Sequence, residues 1–379
     1  MAHVRKISHP TRARVTVRGP CPSLPVWLGL FASLLTMVGG IWDISWHRTS
    51  GRDSFWSPPH LVLYGGVVVM GFVCLWVTLG ATMARWRGAP RDARSLDLWG
   101  LRAPLGFALA GFGVLGVLGS APFDEWWHRM FGVDVTVWSP PHLFAIAAAA
   151  IIRVGLIVAL VHERRPAGDG PIPRQPQLSW RGTTVADWVL LLLFSLLLGN
   201  LTFALGEYDY LDASRDPFLY PILASLAAPV ALVAGVRTLG RAGTATLIAL
   251  LLMLRRELAS HLLLATGFVP PSPAPLYLVP AIVVDLWFLL VRRTDESAWK
   301  SVAAGILFAW IFIGTEYGYT AYLTGIVWSI RPLALSEPLA GVAGGVSAFA
   351  GHHFARWMQV PHPSTTFRPG SENGRRRQR

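Results

Sequence analysis

Asp43-Ile-Ser-Trp-His47-Arg-Thr-Ser-Gly51-Arg-Asp53-Ser-Phe-Trp56-Ser-Pro-Pro-His60-Leu61 joins the end of one apolar run to the start of the next, and the chain contains this unit twice. The second copy reads Asp124-Glu-Trp-Trp-His128-Arg-Met-Phe-Gly132-Val-Asp134-Val-Thr-Val-Trp138-Ser-Pro-Pro-His142-Leu143, with one residue inserted before Trp138. Each copy stands between stretches of about 20 apolar residues, the length that crosses the hydrocarbon of a bilayer. Repetition at this scale predicts a duplicated helical hairpin. The fold expected is therefore an all-α, polytopic transmembrane helical bundle built from repeated hairpins.

Outward from this pair, ten such stretches are legible: 25–46, 60–83, 103–124, 142–161, 186–206, 218–237, 243–265, 275–291, 299–319 and 336–356. The boundary inside 217–265 is the hardest to place, because Gly240 to Gly243 leaves room for a very tight turn. The organisation predicted is a basic N-terminal segment over 1–24, a metal-binding repeat pair over 25–162, and a linker over 163–185. A transmembrane scaffold half follows over 186–358, and then a disordered basic tail over 359–379.

Composition agrees. Of 379 residues, 53% are hydrophobic and 14% charged, well below the roughly 25% charged of a soluble domain. The net charge of +12 would suggest nucleic acid in a soluble protein. Here the arginines sit in short loops between apolar runs and no basic-aromatic module is present, so nucleic acid is excluded as a partner. Arg85, Arg87, Arg91, Arg94 and Arg102 follow the second stretch; Arg164, Arg165, Arg174 and Arg181 follow the fourth. Arg237 and Arg241 follow the sixth, and Arg292, Arg293 and Lys300 the eighth; both chain ends are basic too. The positive-inside rule then puts every even-numbered loop and both termini in the cytoplasm, and the acid- and His-bearing odd loops outside the plasma (inner) membrane. The basic N-terminus has no apolar core of a cleaved signal peptide. Two cysteines, Cys21 and Cys74, offer no disulfide or thiolate site.

The spacing within the repeat has a chemical reading. Asp43 and His47 are four residues apart, as are Asp124 and His128, so each pair shares one face at the end of a helix. A Ser-Pro-Pro turn starts the next helix, with Pro suited to a first helical turn, and places His60 or His142 at its top, facing back across the hairpin. Each hairpin thus gathers one carboxylate and two imidazoles. That donor set suits copper, iron or zinc and leaves coordination positions open. Asp53 and Asp134 are read as groups supporting the ligands or capping the loop. Trp46, Trp56, Trp127 and Trp138 are read as interfacial anchors.

At these residues the chain resembles the C subunit of the particulate methane and ammonia monooxygenases, the copper membrane monooxygenase family. That subunit carries an Asp-x3-His-x12-His site, matched by Asp43, His47 and His60, with Trp46 before the first His, an Arg52-Asp53 pair, and Ser-Pro-Pro before the last. Its second site, Asn-Glu-Trp-x-His-x13-His, is matched by Asp124-Glu125-Trp126-Trp127-His128 and His142. The resemblance covers residues 26–160. It implies copper at two sites near the outer face, a small apolar substrate oxidised by dioxygen, and partner subunits. The chain departs from the family in having Asp124 where the family has Asn, in about four further spans, and in lacking a cupredoxin-like domain.

The second half reads as worn copies of the hairpin, a scaffold with most ligands lost. Gly206-Glu207-Tyr208-Asp209-Tyr210 and Thr315-Glu316-Tyr317-Gly318-Tyr319 each end an apolar run, and Glu257-x3-His261 before Pro270-Pro271 echoes the motif. Arg255, Arg256, Glu257, His261 and Asp285 are intramembrane polar groups, expected to pair with one another or to line a polar path to the metal sites. His352 and His353 lie near the cytoplasmic end of the last run, away from the sites. The expected function is a copper-dependent membrane monooxygenase or its metal-bearing subunit. The alternatives are a non-catalytic copper- or zinc-binding membrane protein in transport, storage or sensing, and a purely structural repeat.

Overall fold

The computed structural model describes residues 21–50, 56–89, 91–92, 94–132, 137–164, 182–205, 216–270, 273–291 and 297–359. Among them ten helices follow one another: α1 (Leu24–Ser50), α2 (Pro58–Trp86), α3 (Leu105–Phe131), α4 (Pro140–Glu163), α5 (Val185–Leu201), α6 (Leu219–Leu239), α7 (Thr244–Ala265), α8 (Leu278–Leu290), α9 (Ala298–Thr324) and α10 (Ile330–Gln359). Each falls on one of the ten apolar stretches. Seven of them (α1 to α4, α6, α9 and α10) are long and apolar enough to cross a membrane, which marks an integral membrane protein. Two others, α5 and α8, are apolar but short, at 17 and 13 residues. Charged residues at 255–257 interrupt α7.

The fold is not wholly helical. Between α2 and α3, where the sequence reads as a plain basic loop, β1 (Ser95–Leu98) and β2 (Leu101–Pro104) form an antiparallel hairpin. Trp99 and Gly100 both take positive φ, 47° and 84°, the twist that a two-residue turn needs to match its strands. Thr82 of α2 exchanges hydrogen bonds with the backbone of Arg102, which pins the hairpin to the bundle. Asp97 gathers Arg102 at 3.1 Å and Arg85 at 3.5 Å. The hydrogen bond from Arg102 holds its carboxyl below the usual carboxylate range, against some desolvation.

One end of the bundle is tied together by its loops. Ser23, before α1, donates to Glu163 at the end of α4, and Arg94 donates to the His162 carbonyl. Arg164 pairs with Asp187 in the first turn of α5, and Arg241 reaches the same carboxylate at 4.0 Å. This basic end therefore holds the starts of α1 and α5 and the end of α4, and the ends of α1 and α3 and the starts of α2 and α4 lie at the opposite end. The α6–α7 turn also closes tightly: Gly240 and Gly243 sit at φ 64° and 76°, conformations that cost a side-chain-bearing residue.

Packing within each hairpin depends on small residues, the usual device where lipid supplies no hydrophobic drive between helices. A Cβ on Gly66 would stand 2.7 Å from the Ala32 carbonyl oxygen, and one on Gly113 would stand 2.7 Å from that of Ala148. The central helices are α5 and α6. Leu190, Leu191, Leu193 and Phe194 are fully buried on α5, and the run Ala231 to Ala234 on α6, as an element apolar on all faces should be.

Candidate metal centre

Both Asp/His/His sets assemble at the end of the bundle away from the basic loops. Asp43 and His47 lie in the last turns of α1, Asp124 and His128 in those of α3. His60 and His142 are the third residues of α2 and α4, each after two prolines. The turns before them match: Ser57 and Ser139 have φ near −60° and ψ near 150°, and each carbonyl accepts the amide four residues on, Leu61 and Leu143. Proline at the first helical positions loses no hydrogen bond there, so both histidines are set on a stiff start.

The second set is the tighter. One ligand atom each from Asp124, His128 and His142 lie within 4.8 Å of one another, the one such group among the described residues. His128 Nε2 is 3.3 Å from Asp124 Oδ2, and His142 Nε2 is 3.4 Å from Oδ1. Gly132, at φ 92°, ends α3, and its carbonyl lies 3.3 Å from His128 Nδ1. His128 thus stands between two acceptors, the Gly132 carbonyl at Nδ1 and the Asp124 carboxylate at Nε2, which fix the plane of its ring. The first set is looser. His60 Nε2 is 3.3 Å from Asp43 Oδ1 and His47 Nε2 is 3.8 Å from it. His60 stacks on Tyr64, with ring centres 5.6 Å apart.

The donors fit a metal on an observation besides their types. Asp43 Oδ1 and Asp124 Oδ1 are both buried and accept no hydrogen bond, although imidazole nitrogens stand close. A buried carboxylate oxygen without a donor is costly. A cation seated between it and the imidazoles would remove that cost in both hairpins.

The surroundings of the first set come from the other half of the chain. The α7–α8 connection lies on the end of α1: Val269 N donates to Thr49 Oγ1 and Arg48 donates to the Pro270 carbonyl. Phe268 stacks on Trp46 and meets Trp42 edge-on. Pro270, read in the sequence as part of an echo of the motif, lies against Arg48 at the end of α1. Around the second set, Trp126 and Phe131 are half or more exposed. Asp53, Asp134, Glu207 and Asp209 lie outside the described residues.

The remaining polar residues do not extend the sites. Asp285, expected to pair with an arginine, accepts from the amides of Ala245 and Thr246 and from the Thr246 hydroxyl, and so caps the start of α7 at the basic end. Arg255 meets neither Glu257 nor Asp285; it donates to Ser195 and contacts Met37 Sδ. Glu257 and His261 are exposed, and His261 Nδ1 contacts the Glu257 carbonyl. Arg256 lines a small cavity with Gly199, Leu252 and Pro275. His352 contacts Ser301 within the helices. Both cysteines are free thiols, Cys74 buried.

Thr315 to Tyr319 lies in the last turns of α9, as Asp43 and Asp124 lie in those of α1 and α3. α9 continues through it to Thr324, and Glu316 is fully buried, accepting from Tyr220 Oη and the Leu276 amide at 2.8 Å each. Those two bonds join α6, the segment before α8, and α9. Glu316→Ala should lower stability by about 2–4 kcal/mol, because it strips two buried donors of their acceptor. Glu316→Gln, which keeps an acceptor oxygen, should lose less; thermal unfolding of the detergent-purified variants measures both.

Comparison with known proteins adds no relative: no family model, no curated protein and no solved structure matches the chain.

Proposed function

We propose that this chain is a membrane-embedded, copper-dependent monooxygenase or the metal-bearing subunit of one, oxidising a small apolar substrate with dioxygen. The observation that carries the reading is the convergence of Asp124, His128 and His142 within 4.8 Å, around a buried carboxylate oxygen that has imidazole nitrogen beside it and accepts no hydrogen bond. The matching set at Asp43, His47 and His60 supports it. The likeness to the copper membrane monooxygenases favours copper over iron or zinc, which the donors alone accept.

Two further supports concern architecture. Ala32 and Gly113 stand eleven residues before Asp43 and Asp124, and Gly66 and Ala148 six residues after His60 and His142. The close contact is the same in both hairpins with the glycine moved to the partner helix, as a duplicated hairpin would give. The basic end then faces the cytoplasm, with both chain termini there, and the metal sites lie near the extracytoplasmic face of the plasma membrane.

Bound copper would supply one-electron chemistry and an open position for dioxygen. The chain's own residues hold that position. Asp124 places its carboxyl between two imidazoles, and the Gly132 carbonyl lies against the His128 ring. Trp126 and Phe131 give a lipid-borne substrate an apolar approach, while Trp42, Trp46 and Phe268 close the first site from the side. Partner subunits and a reductant complete the system.

A non-catalytic metal protein is the second reading, and one observation shapes it. The ligand sets collect at one end, while the middle of the bundle carries the cations Arg153 and Arg255. A cation path across the membrane would have to pass them, so storage or sensing suits this reading better than transport. Copper-loaded protein in lipid nanodiscs, given a quinol reductant and short alkanes, should consume oxygen and form alcohol, and His128→Ala should abolish both. Tight copper binding without oxygen uptake in membranes holding the full native assembly would leave the second reading in its place.

A further inference from the structure

Arg153 was not singled out by the sequence, yet it is among the most costly residues in the molecule. It sits near mid-length of α4 and is 4% exposed. Its guanidinium donates to the Ala149 carbonyl at 2.8 Å and to Thr36 Oγ1 at 3.3 Å. Arg255, near mid-length of α7, contacts Met37, the residue next to Thr36 on α1, so both guanidiniums reach the same part of that helix. Among the described residues neither arginine has a carboxylate partner, and in both the Nε donor is buried and unbonded. Two like charges without a counter-charge inside a bundle are strongly unfavourable, and such groups ordinarily pair.

We infer that Arg153 and Arg255 form a buried binding site for one small oxyanion of the carboxylate type. Each guanidinium carries five donors in a planar fork, and the pairs with bidentate oxygens are the strong ones. The two unbonded Nε–H groups are the donors that such an oxyanion would satisfy, and its charge would offset both arginines. Four helices hold the site at similar depth: Thr36 on α1, Arg153 on α4, Ser195 on α5 and Arg255 on α7. At 1.5 Å per residue Thr36 lies about 10 Å inward of Asp43, so the site is separate from the metal ligands.

A small cavity lies beside Arg255, lined by its neighbour Arg256. Gly199 on α5 lines the small cavity between α5, α7 and the α7–α8 connection. A Cβ on Gly199 would stand 3.7 Å from Arg255 Nη2 and 3.0 Å from a Leu252 methyl. The missing side chain therefore leaves the Arg255 guanidinium within van der Waals reach of a glycine that lines the cavity. A larger residue there would shut it.

The inference is independent of metal binding and is tested on metal-free, full-length protein in detergent. Labelled acetate should bind saturably at one equivalent and be displaced by formate but not by chloride. Affinity should fall at least tenfold in Arg153→Gln and in Arg255→Gln. Gly199→Val keeps both arginines and should lose binding as well, which decides the matter if the arginine variants fail to fold. Absence of saturable acetate binding in the wild type, or equal affinity in folded Arg255→Gln or Gly199→Val, overturns the site. Binding of orthophosphate in place of acetate overturns the carboxylate class.

Discussion

Purified protein with His128→Ala and His142→Ala together should hold one metal equivalent fewer than the wild type, and His47→Ala with His60→Ala should remove the other. The loss should be complete within measurement, because two of three donors go and the remaining carboxylate is a weak site alone. Even a closed four-ligand zinc site binds with only roughly 10–16 kcal/mol, so a three-ligand site that loses two ligands keeps little to measure. The two sites should also differ. Asp124, His128 and His142 stand within 4.8 Å of one another, whereas His47 is 3.8 Å from Asp43 and the first set is not so closed. Graded chelation should therefore strip the first site first. Metal analysis of the dialysed variants, with copper, iron and zinc each offered anaerobically, checks the whole prediction. A wild type that retains none of the three would make the buried carboxylate oxygens unexplained and the repeat structural.

Replacement of Asp187 by alanine should be among the most destabilising single changes in the chain. Asp187 is 1% exposed and does three things at once. It forms a reciprocal cap with Thr184 at the start of α5, pairs with Arg164, and stands 4.0 Å from Arg241. Loss of the cap costs about 1 kcal/mol, and the buried Arg241 loses a nearby carboxylate as well, while Arg164, which is exposed, can turn to water. Desolvation weighs against the charge of Arg164 and the Asp187 carboxylate opposes that effect. The exposed pair Glu125–Arg129 is a control of the same formal kind. Glu125→Gln should change stability by less than about 1 kcal/mol, as surface pairs in water do. Unfolding midpoints in one detergent, compared across Asp187→Ala, Asp187→Asn and Glu125→Gln, give the ranking.

Asp187 also shows where the reading of sequence falls short. Arg164 and Arg241 were counted as topological charges of basic loops. Arg85 and Arg102, counted in the same way, hold Asp97 on a β-hairpin that no periodicity in 95–104 announces. Charge counting assigns a side to a loop; it does not say which charges are paired, since pairing depends on which loops meet. Glu316 was placed at a helix end because an acid closing an apolar run looks interfacial. Its actual partners, Tyr220 and the Leu276 amide, are 96 and 40 residues away, and local sequence carries no trace of them.

By itself the sequence determined the number and order of the helices, because a bilayer demands long apolar runs and the punctuation between them is sharp. It determined the two ligand sets as well. Their members lie within one hairpin each, at helical spacing and at a proline-fixed helix start, so short-range geometry is enough to bring them together. Tertiary structure alone decided which buried polar groups are satisfied. Asp285 caps α7, Pro270 and Phe268 lie against the end of α1, and Arg153 and Arg255 reach adjacent residues of α1 with no carboxylate partner among the described residues. Each of these depends on which helix faces are neighbours. In a chain apolar on nearly every face, the hydrophobic pattern does not encode that choice. Close contacts of small residues such as Gly66 on Ala32 and the placement of a few polar side chains make it instead.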